Sequence, residues 1–269
     1  MPAELAFGIT AAARPDHARL GSELERLGYP ELWVNDNRRG DGIATVASIS
    51  PATRALRFGI GVVALSEHSV PAIVERLSAV DLPLDRLTLG IGSGSSASLD
   101  LVRDGATELR RLQPGLPIAI AAVGPRMARL AGEMADTVVA NWALPNRLSF
   151  VAERIAEGAA AADRPAPRLV AYVRTAVGAR AVDRLRAEMD RYARSGGHYA
   201  RAFAAQAGRP VGIAVESGDP SELAAALAPY RSVVDTLVVR GLPSEDDVDG
   251  WLRIASLAAG VDLSGDGRR

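Results

Sequence analysis

Cysteine is absent from the chain. This excludes disulfide bonds, thiolate metal sites and cysteine nucleophiles. Histidine is scarce, with three residues, and these form neither a metal triad nor an HExxH pattern, so no metal site is expected. Aromatic residues make up 4% of the sequence. No apolar run approaches the roughly 18 residues of a membrane span, and the N-terminus lacks the pattern of a signal peptide.

An excess of positive charge is also missing, since the formal net charge is −1. Binding to nucleic acid or to an anionic membrane would need a clustered basic face and is not expected. What is present is typical of a soluble globular protein, with 48% hydrophobic and 23% charged residues. We therefore expect a cytoplasmic protein with one domain over residues 1–263 and a flexible tail over 264–269.

The segment Leu116–Trp142 has the pattern of a β-α-β unit. Two apolar runs, Pro117–Ala121 and Thr137–Asn141, show no alternation of polar and apolar residues, which is typical of parallel strands covered on both faces. Between them, Arg126–Ala135 has apolar residues at the helical spacing i, i+3, i+4, i+7. The unit therefore predicts two neighbouring parallel strands joined by a helix.

The same pattern recurs along the chain. The predicted strands are Leu5–Ile9, Glu31–Asn35, Arg57–Val63, Leu87–Ile91, Pro117–Ala121, Thr137–Asn141, Leu169–Ala176 and Thr236–Arg240. The helices between them include Ser69–Leu84, Arg180–Ala207 with a break at 195–197, and a last helix capped by Ser244, while Gly212–Val215 is ambiguous. Eight strands alternating with helices predict an α/β fold, a compact (β/α)8 TIM barrel, with a doubly wound open sheet as the alternative.

In a barrel the ligand lies at the carboxyl ends of the strands. Arg126 is informative there, because a cation in the first turn opposes the helix dipole unless an anion binds beside it. Gly124 lets a ligand approach the free N–H groups of that helix, which form an anion site. The alternative is that Arg126 only lies on the solvated face of the helix.

Other strand ends carry weaker signals, each with a structural alternative. The Gly92–Ser96 loop either cradles a phosphate or forms a flexible turn, and it fails as a dinucleotide fingerprint. Asp36 lies over a ligand or in a solvated loop with Arg38 and Arg39. His68 follows the third strand and shuttles a proton or lies on the surface. Trp142 could form the wall beside an aromatic ring.

Five segments resemble the luciferase-like monooxygenases, a barrel superfamily that uses FMN or the deazaflavin coenzyme F-420. They follow the family's order over nearly the whole chain: LGYPELWVND (27–36), LRFGIGVVAL (56–65), DRLTLGIGSGS (85–95), AAVGPRMARLAGEMADTVVANW (121–142) and DTLVVRG (235–241). The third and fourth segments together are the specific part. The resemblance implies an oxidoreductase or monooxygenase acting on a small organic molecule, with coenzyme F-420, slightly preferred, or FMN as cofactor.

The resemblance also implies site residues. A non-prolyl cis peptide within Gly61-Val62-Val63 would back the cofactor ring, and the loops after strands four and five would hold its phosphate. With the polar strand ends added, the predicted cofactor-binding residues are Asn35, Gly61, Val62, Val63, Ser93, Gly94, Val123, Gly124, Arg126, Asn141 and Trp142. Asp36 and His68 are the predicted catalytic residues. Relatives are often dimers, so a homodimer is a further expectation.

The chain departs from the family at three places. Many relatives have an aspartate-histidine pair where this chain has Asp36-Asn37, and Arg-His-Pro where it has Glu67-His68-Ser69. The stretch between strands four and five, which helps to cover the cofactor in relatives, is short. Two alternatives therefore stay open: a barrel of this type that has lost its cofactor, and a phosphosugar-type barrel enzyme. The second is weakened because no lysine at a strand end could form a Schiff base.

Overall fold

The computed structural model describes residues 3–13, 16–37, 40–195, 197–207 and 209–260. Arg38, Arg39 and the predicted tail over 264–269 lie outside the described residues. The strands are β1 Glu4–Thr10, β2 Glu31–Asn35, β3 Arg57–Ala64, β4 Leu87–Gly92, β5 Ile118–Ala121, β6 Thr137–Asn141, β7 Arg168–Val177, β8 Ile213–Val215 and β9 Thr236–Gly241. The α-helices are α1 His17–Arg26, α2 Gly42–Ile49, α3 Val70–Ser78, α4 Leu99–Leu112, α5 Pro125–Met134, α6 Pro145–Ala161, α7 Ala179–Arg194, α8 Gly197–Ala204, α9 Pro220–Arg231 and α10 Val248–Ala259.

Eight of these strands close into a parallel barrel. The strand order is β6-β5-β4-β3-β2-β1-β9-β7, and β6 also pairs with β7, which closes the ring. Every pairing in the ring is parallel. Helices between the strands pack on the outside of the ring. The predicted (β/α)8 barrel is confirmed, and the open doubly wound sheet is wrong because an open sheet has two unpaired edges.

The ambiguous run near residue 213 forms a strand outside the ring. β8 pairs with the last residues of β7, Thr175–Val177, whereas the earlier part of β7 pairs with β9. β7 is long enough to pair with β9 along most of its length and with β8 at its carboxyl end. The extra strand therefore lies at the carboxyl end of the barrel, beside the two helices α7 and α8 that precede it.

Two predicted helix boundaries differ from the structure, and a predicted break is confirmed. α3 ends at Ser78 rather than near residue 84, because the residue before Pro83 is disfavoured in a helix. The region predicted over 180–207 with a break at 195–197 is two helices, α7 and α8. α10 is capped by Asp247, whose carboxylate accepts a hydrogen bond from Gly250 N at 2.6 Å, and not by Ser244. The Asp247 carboxylate stabilises the helix N-terminus with both a hydrogen bond and a negative charge.

Two aromatic side chains fill the middle of the barrel. Trp33 is fully buried and Tyr172 is 5% exposed, and their rings pack edge to face with centroids 5.8 Å apart. A side chain at Gly59 would overlap the Trp33 ring. Small residues from neighbouring strands complete this interior cluster: Ala6, Ala119, Val139, Val170 and Val238. The carboxyl end above the two rings is left free for a cavity.

The opposite, amino-terminal end is closed by ion pairs between the first residues of the strands. Arg168 pairs with the buried Glu31 at 2.8 Å, and Arg57 pairs with Glu4 at 2.6 Å. Arg168 also lies 3.6 Å from Glu4. Charged residues at this face of a barrel contribute to stability rather than to a site. Their charges are balanced within the protein.

Substitution of Gly132 tests the close packing of α5 on α6. A methyl group at Gly132 would overlap the backbone carbonyl of Ile155, so Gly132→Ala must separate the two helices. Overpacking costs about 1–3 kcal/mol, and the helix propensity of alanine offsets at most about 1. We expect a lower denaturant midpoint in unfolding followed by circular dichroism.

Gly105→Ala is the matched control, since Gly105 also lies in mid-helix. The methyl group would lie 2.5 Å from the end of the flexible Leu65 side chain, which can move aside. The control should therefore unfold close to the wild type. Equal midpoints for the two variants would contradict the tight α5–α6 contact.

Candidate functional site

A cavity of about 780 Å³ opens at the carboxyl ends of the strands. Its volume is in the range of small-molecule and cofactor sites. Strands β2 to β7 contribute to the wall, and side chains from α5 to α8 complete it. Predicted site residues that line the cavity are Asn35, Asp36, Gly61, Val62, Ser93, Gly94, Val123, Gly124, Arg126 and Asn141. Sequence reasoning and structure therefore select the same end of the barrel.

One wall is a bulge in β3. The peptide bond between Gly61 and Val62 is cis, at the place the resemblance implied, and the pairing of β3 with β4 shifts between Ile60 and Val63. Gly90 and Gly92 on β4 make room for the Val62 side chain because they have no side chains. A methyl group would lie 2.7 Å from Val62 at Gly90 and 2.9 Å from it at Gly92. Val62 thus presents an apolar surface to the cavity.

Val63 does not contribute to this wall. Its side chain is fully buried in the main core cluster between strands and helices, since adjacent residues of a strand face opposite sides. The expectation that Val63 backs a ligand ring is corrected on that ground.

Asn35 supports the β3 bulge. Its side-chain amide donates to the Gly61 carbonyl at 3.0 Å and holds the bulge in place.

The loop after β4 is fixed by short-range contacts. Gly94 has φ +60°, and a side chain there would overlap Ser66 Oγ. Ser66 Oγ accepts a hydrogen bond from Ser95 N at 3.2 Å, and Ser96 Oγ donates to Ser93 O at 2.8 Å. The loop is therefore an ordered turn at the cavity wall, next to the start of α5.

The N-terminus of α5 faces the cavity without an internal partner. Gly124 is the N-cap, no side chain caps the helix, and its first turn has no acidic residue. Space around the Gly124 Cα is open, since a methyl group there would meet nothing within 4 Å. Free N–H groups and the helix dipole make this a site for an anion.

Three arginines line the cavity: Arg126, Arg147 and Arg201. Arg147 donates to the Val123 carbonyl at 3.3 Å, and burial lowers its pKa. Over the described ranges, no carboxylate forms an ion pair with any of the three. This is the reverse of the amino-terminal end, where strand-end arginines are paired with glutamates. The uncompensated positive charge favours an anionic ligand.

Asp36 lies on another side of the cavity, at the end of β2. Its Oδ1 accepts a hydrogen bond from Gly42 N at 2.6 Å, and burial raises the pKa of its carboxyl group. Asp36 is half-buried and lines the cavity. His68 is half-buried and is not part of the cavity wall, although its charge acts to lower the pKa of Asp36.

Aromatic side chains of α7 and α8 cover the cavity. Tyr192, His198 and Tyr199 line it, and burial raises the pKa of Tyr199 to about 12. Trp142 is 2% exposed and packs behind Tyr192, with ring centroids 5.1 Å apart. Trp142 therefore supports the cover instead of contacting a ligand, which corrects the expectation that it forms the wall.

Sequence reasoning missed several lining residues that had usable signals. Arg147 lies in the first turn of α6 after Pro145, the same arrangement that identified Arg126 after Pro125. Tyr192 and Tyr199 lie close together in a chain with 4% aromatic residues. His198 also lines the cavity, and its ring packs on Tyr199 with centroids 4.4 Å apart. The shared position of these residues could not be inferred from spacing, because it depends on how α7 and α8, which both lie between β7 and β8, pack on the barrel.

Fold and site together define a (β/α)8 barrel protein with a cavity that is apolar beside Val62 and suited to an anion at α5. The model of the luciferase-like monooxygenase family matches residues 100–239, more than half of the chain. The protein belongs to this family. The match includes α5, β6 and β7, which supply much of the cavity wall.

Curated relatives match part of the chain. It is 30% identical over 161 residues to 4-hydroxyprotoasukamycin monooxygenase of Streptomyces nodosus subsp. asukaensis, which covers 42% of this chain and 43% of the relative. It is 22% identical over 176 residues to 5,10-methylenetetrahydromethanopterin reductase of Methanolobus tindarius, covering 52% of this chain and 54% of the relative. The matched part is about half the length of these two relatives.

Solved structures share the fold over nearly the whole chain. An F-420-dependent secondary alcohol dehydrogenase in complex with an F-420-acetone adduct superposes with a TM-score of 0.75 at 13% identity, covering 97% of this chain and 100% of the other. The oxygenating constituent of 3,6-diketocamphane monooxygenase from Pseudomonas putida, in complex with FMN, gives 0.67 at 15% identity, covering 94% and 96%.

No helix among the described residues has the length and apolar character to cross a membrane. Within the same residues, no group of three or more His, Asp or Glu side chains is placed to hold a metal ion.

Asp36 and Asp41, the two carboxylates near the start of α2, should affect the free energy of unfolding in opposite directions. Because burial raises the pKa of Asp36, folding disfavours its ionised form, and stability falls as the pH rises through that pKa. Asp36→Asn removes the charge but keeps an acceptor for Gly42 N. We expect this variant to be more stable than the wild type at neutral pH, with the difference vanishing below the ordinary pKa of 3.8.

Asp41→Asn is the matched comparison. Burial alone would raise the pKa of Asp41, but the Ala44 N–H and the Arg76 guanidinium lower it overall. Its charge therefore stabilises the fold above the ordinary pKa and loses that effect as the pH falls. Asn is an equally good N-cap, so Asp41→Asn should be less stable at neutral pH. Thermal unfolding between pH 3 and 7 measures both, and equal signs would contradict these assignments.

Proposed function

We propose that the protein is an oxidoreductase of the luciferase-like class that binds a flavin or deazaflavin and acts on a small organic molecule. The observation that carries the proposal is the cavity itself, with an apolar bulge at Val62 and an anion site at α5 in one wall. A tricyclic ring with a phosphate-bearing side chain has the same two chemical parts. Family membership supports this reading, because the relatives' names include both reductases and monooxygenases.

The phosphate would lie at the start of α5. Free N–H groups after Gly124 donate to phosphate oxygens, and Arg126 adds a charge-assisted hydrogen bond. The loop of Ser93 and Gly94 lies on the same wall and supplies a hydroxyl group and backbone N–H groups. The residues present fit a phosphate monoester or diester, because the site offers donors and positive charge with no competing carboxylate among the described residues.

The ring would lie against Val62. Asn35 holds the Gly61 carbonyl and so keeps the bulge in position, while Tyr192 and Tyr199 exclude water from above. When bound, reduced FMN would supply the two electrons with which O2 gives one oxygen atom to the substrate and the other to water, whereas the deazaflavin would exchange a hydride with the substrate. The protein's own part is to bind, orient and shield the reacting groups.

Asp36 would handle the proton of the reaction. One of its carboxyl oxygens is held by Gly42 N, which leaves the other for a substrate or cofactor group. Its raised pKa moves the carboxyl group closer to the working pH, which favours general acid-base catalysis. His68 would act on Asp36 through its charge, since it is not in the wall.

Both cofactors have support among similar structures, one solved with an F-420 adduct and another with FMN. Coenzyme F-420 keeps its slight preference as a prediction. A phosphosugar-type enzyme would use the same phosphate end but would not need the apolar surface at Val62. A barrel that lost its cofactor would bind neither. The homodimer and the cytoplasmic location also stay predictions.

Titration of the purified protein with FMN and, separately, with coenzyme F-420 tests the proposal. Cofactor fluorescence should be quenched with saturation in the micromolar range for one of them. Binding of FMN directs the next assay to oxygen consumption, and binding of F-420 to hydride exchange. If neither cofactor binds, the proposed function fails.

Arg126→Ala tests the phosphate end. Loss of a charge-assisted hydrogen bond of about 1.5–3 kcal/mol corresponds to a roughly 10- to 150-fold higher Kd for the bound cofactor. Arg129→Ala is the control, because Arg129 lies on the same helix, is exposed and pairs with Glu133 at 3.7 Å. Its Kd should equal that of the wild type. An unchanged Kd in Arg126→Ala would remove Arg126 from the phosphate site.

A further inference from the structure

Two polar side chains lie next to each other on the wall formed by β6 and β7. Asn141 and Tyr172 are direct partners in the register of these parallel strands, and both line the cavity. Partners in register present their side chains on the same face of a sheet. The two polar groups therefore lie on one side of the cavity.

The orientation of the Asn141 amide follows from its neighbour. Arg174 is 2% exposed and donates from Nη1 to Asn141 Oδ1 at 2.5 Å. A guanidinium group only donates hydrogen bonds, so the amide oxygen must face Arg174. Glu188 fixes Arg174 from its other side, accepting from Nε at 2.8 Å. The Asn141 NH2 group faces the other way, where a side-chain hydrogen bond joins Asn141 to the Tyr199 hydroxyl group. Asn141 is therefore fixed between Arg174 and Tyr199.

The Tyr172 hydroxyl group has no hydrogen-bond partner in the described residues, although the side chain is 5% exposed. Leaving a buried hydroxyl group unpaired costs about 1–3 kcal/mol. Trp33 packs against the edge of its ring and prevents the side chain from turning away. A ligand that accepts a hydrogen bond would remove this cost.

Position narrows the kind of ligand. A methyl group added to Gly61 would lie 2.5 Å from the Tyr172 hydroxyl oxygen, so the hydroxyl lies beside the bulge at Val62. The buried arginines behind this wall are compensated, since Glu188 pairs with Arg174 and the charges of Glu188 and Asp246 act on Arg240. The unpaired hydroxyl group therefore selects the ligand, and it favours one with a hydrogen-bond acceptor beside Val62.

We infer that Tyr172 Oη–H donates a hydrogen bond to a carbonyl oxygen on the ring of the bound cofactor. This inference rests on the proposed function, and both FMN and deazaflavins carry ring carbonyl groups. The hydrogen bond would fix the ring's rotation against Val62 and stabilise negative charge on the ring when it is reduced. Tyr172 is thereby added to the predicted binding residues.

Tyr172→Phe separates ligand binding from folding. Removal of an unpaired hydroxyl group should leave the denaturant midpoint of the ligand-free protein equal to or above that of the wild type. The Kd for whichever of FMN and coenzyme F-420 the wild type binds should rise by about threefold to tenfold.

Tyr29→Phe is the matched control, since the buried Tyr29 hydroxyl donates to the Ala255 carbonyl at 2.7 Å away from the cavity. It should lower the midpoint and leave the Kd unchanged. A Tyr172→Phe protein that loses stability as Tyr29→Phe does, or binds the cofactor as the wild type does, overturns the inference alone. If the wild type binds neither cofactor, the proposed function fails and this inference fails with it.

Discussion

The packing of Trp33 against Tyr172 inside the barrel is the contact on which the cavity depends. An eight-stranded barrel has an interior that side chains can fill, and here two large rings fill its middle. β3 permits this with glycines at 59 and 61, where side chains would overlap the two rings. Because the aromatic pair closes the interior below, the volume above it becomes a cavity with a defined floor.

Charge is distributed along the barrel axis in two different ways. At the amino-terminal end, arginines and glutamates at the strand starts neutralise one another, as Arg168 and Glu31 do. At the carboxyl end, the α5 dipole and Arg126 point to the cavity without a carboxylate partner among the described residues. Positive charge without a carboxylate partner lowers the stability of the ligand-free protein. Its presence at the carboxyl end of the barrel therefore indicates a binding role and not a structural one.

Local patterns were enough to find some of the site. Gly124 and Arg126 were identified because a cation in the first turn of a helix opposes the helix dipole. This unfavourable arrangement can be seen in the local sequence, without knowledge of the tertiary structure. Val63 and Trp142 were misplaced for the opposite reason. Which face of a strand meets the cavity changes at the β3 bulge, and Trp142 is kept from the cavity by Tyr192, a residue 50 positions further along the chain.

The sequence by itself determined the order of strands and helices, the barrel class and the end of the barrel at which the cavity opens. Apolar runs and helical periodicity are local, and right-handed crossovers leave few ways to connect them. Only the tertiary structure decided that Tyr172 and Asn141 share one wall with Arg174 buried behind it, and that α7 and α8 cover the cavity. Those contacts depend on strand register and on closure of the ring, which join residues that no sequence spacing relates.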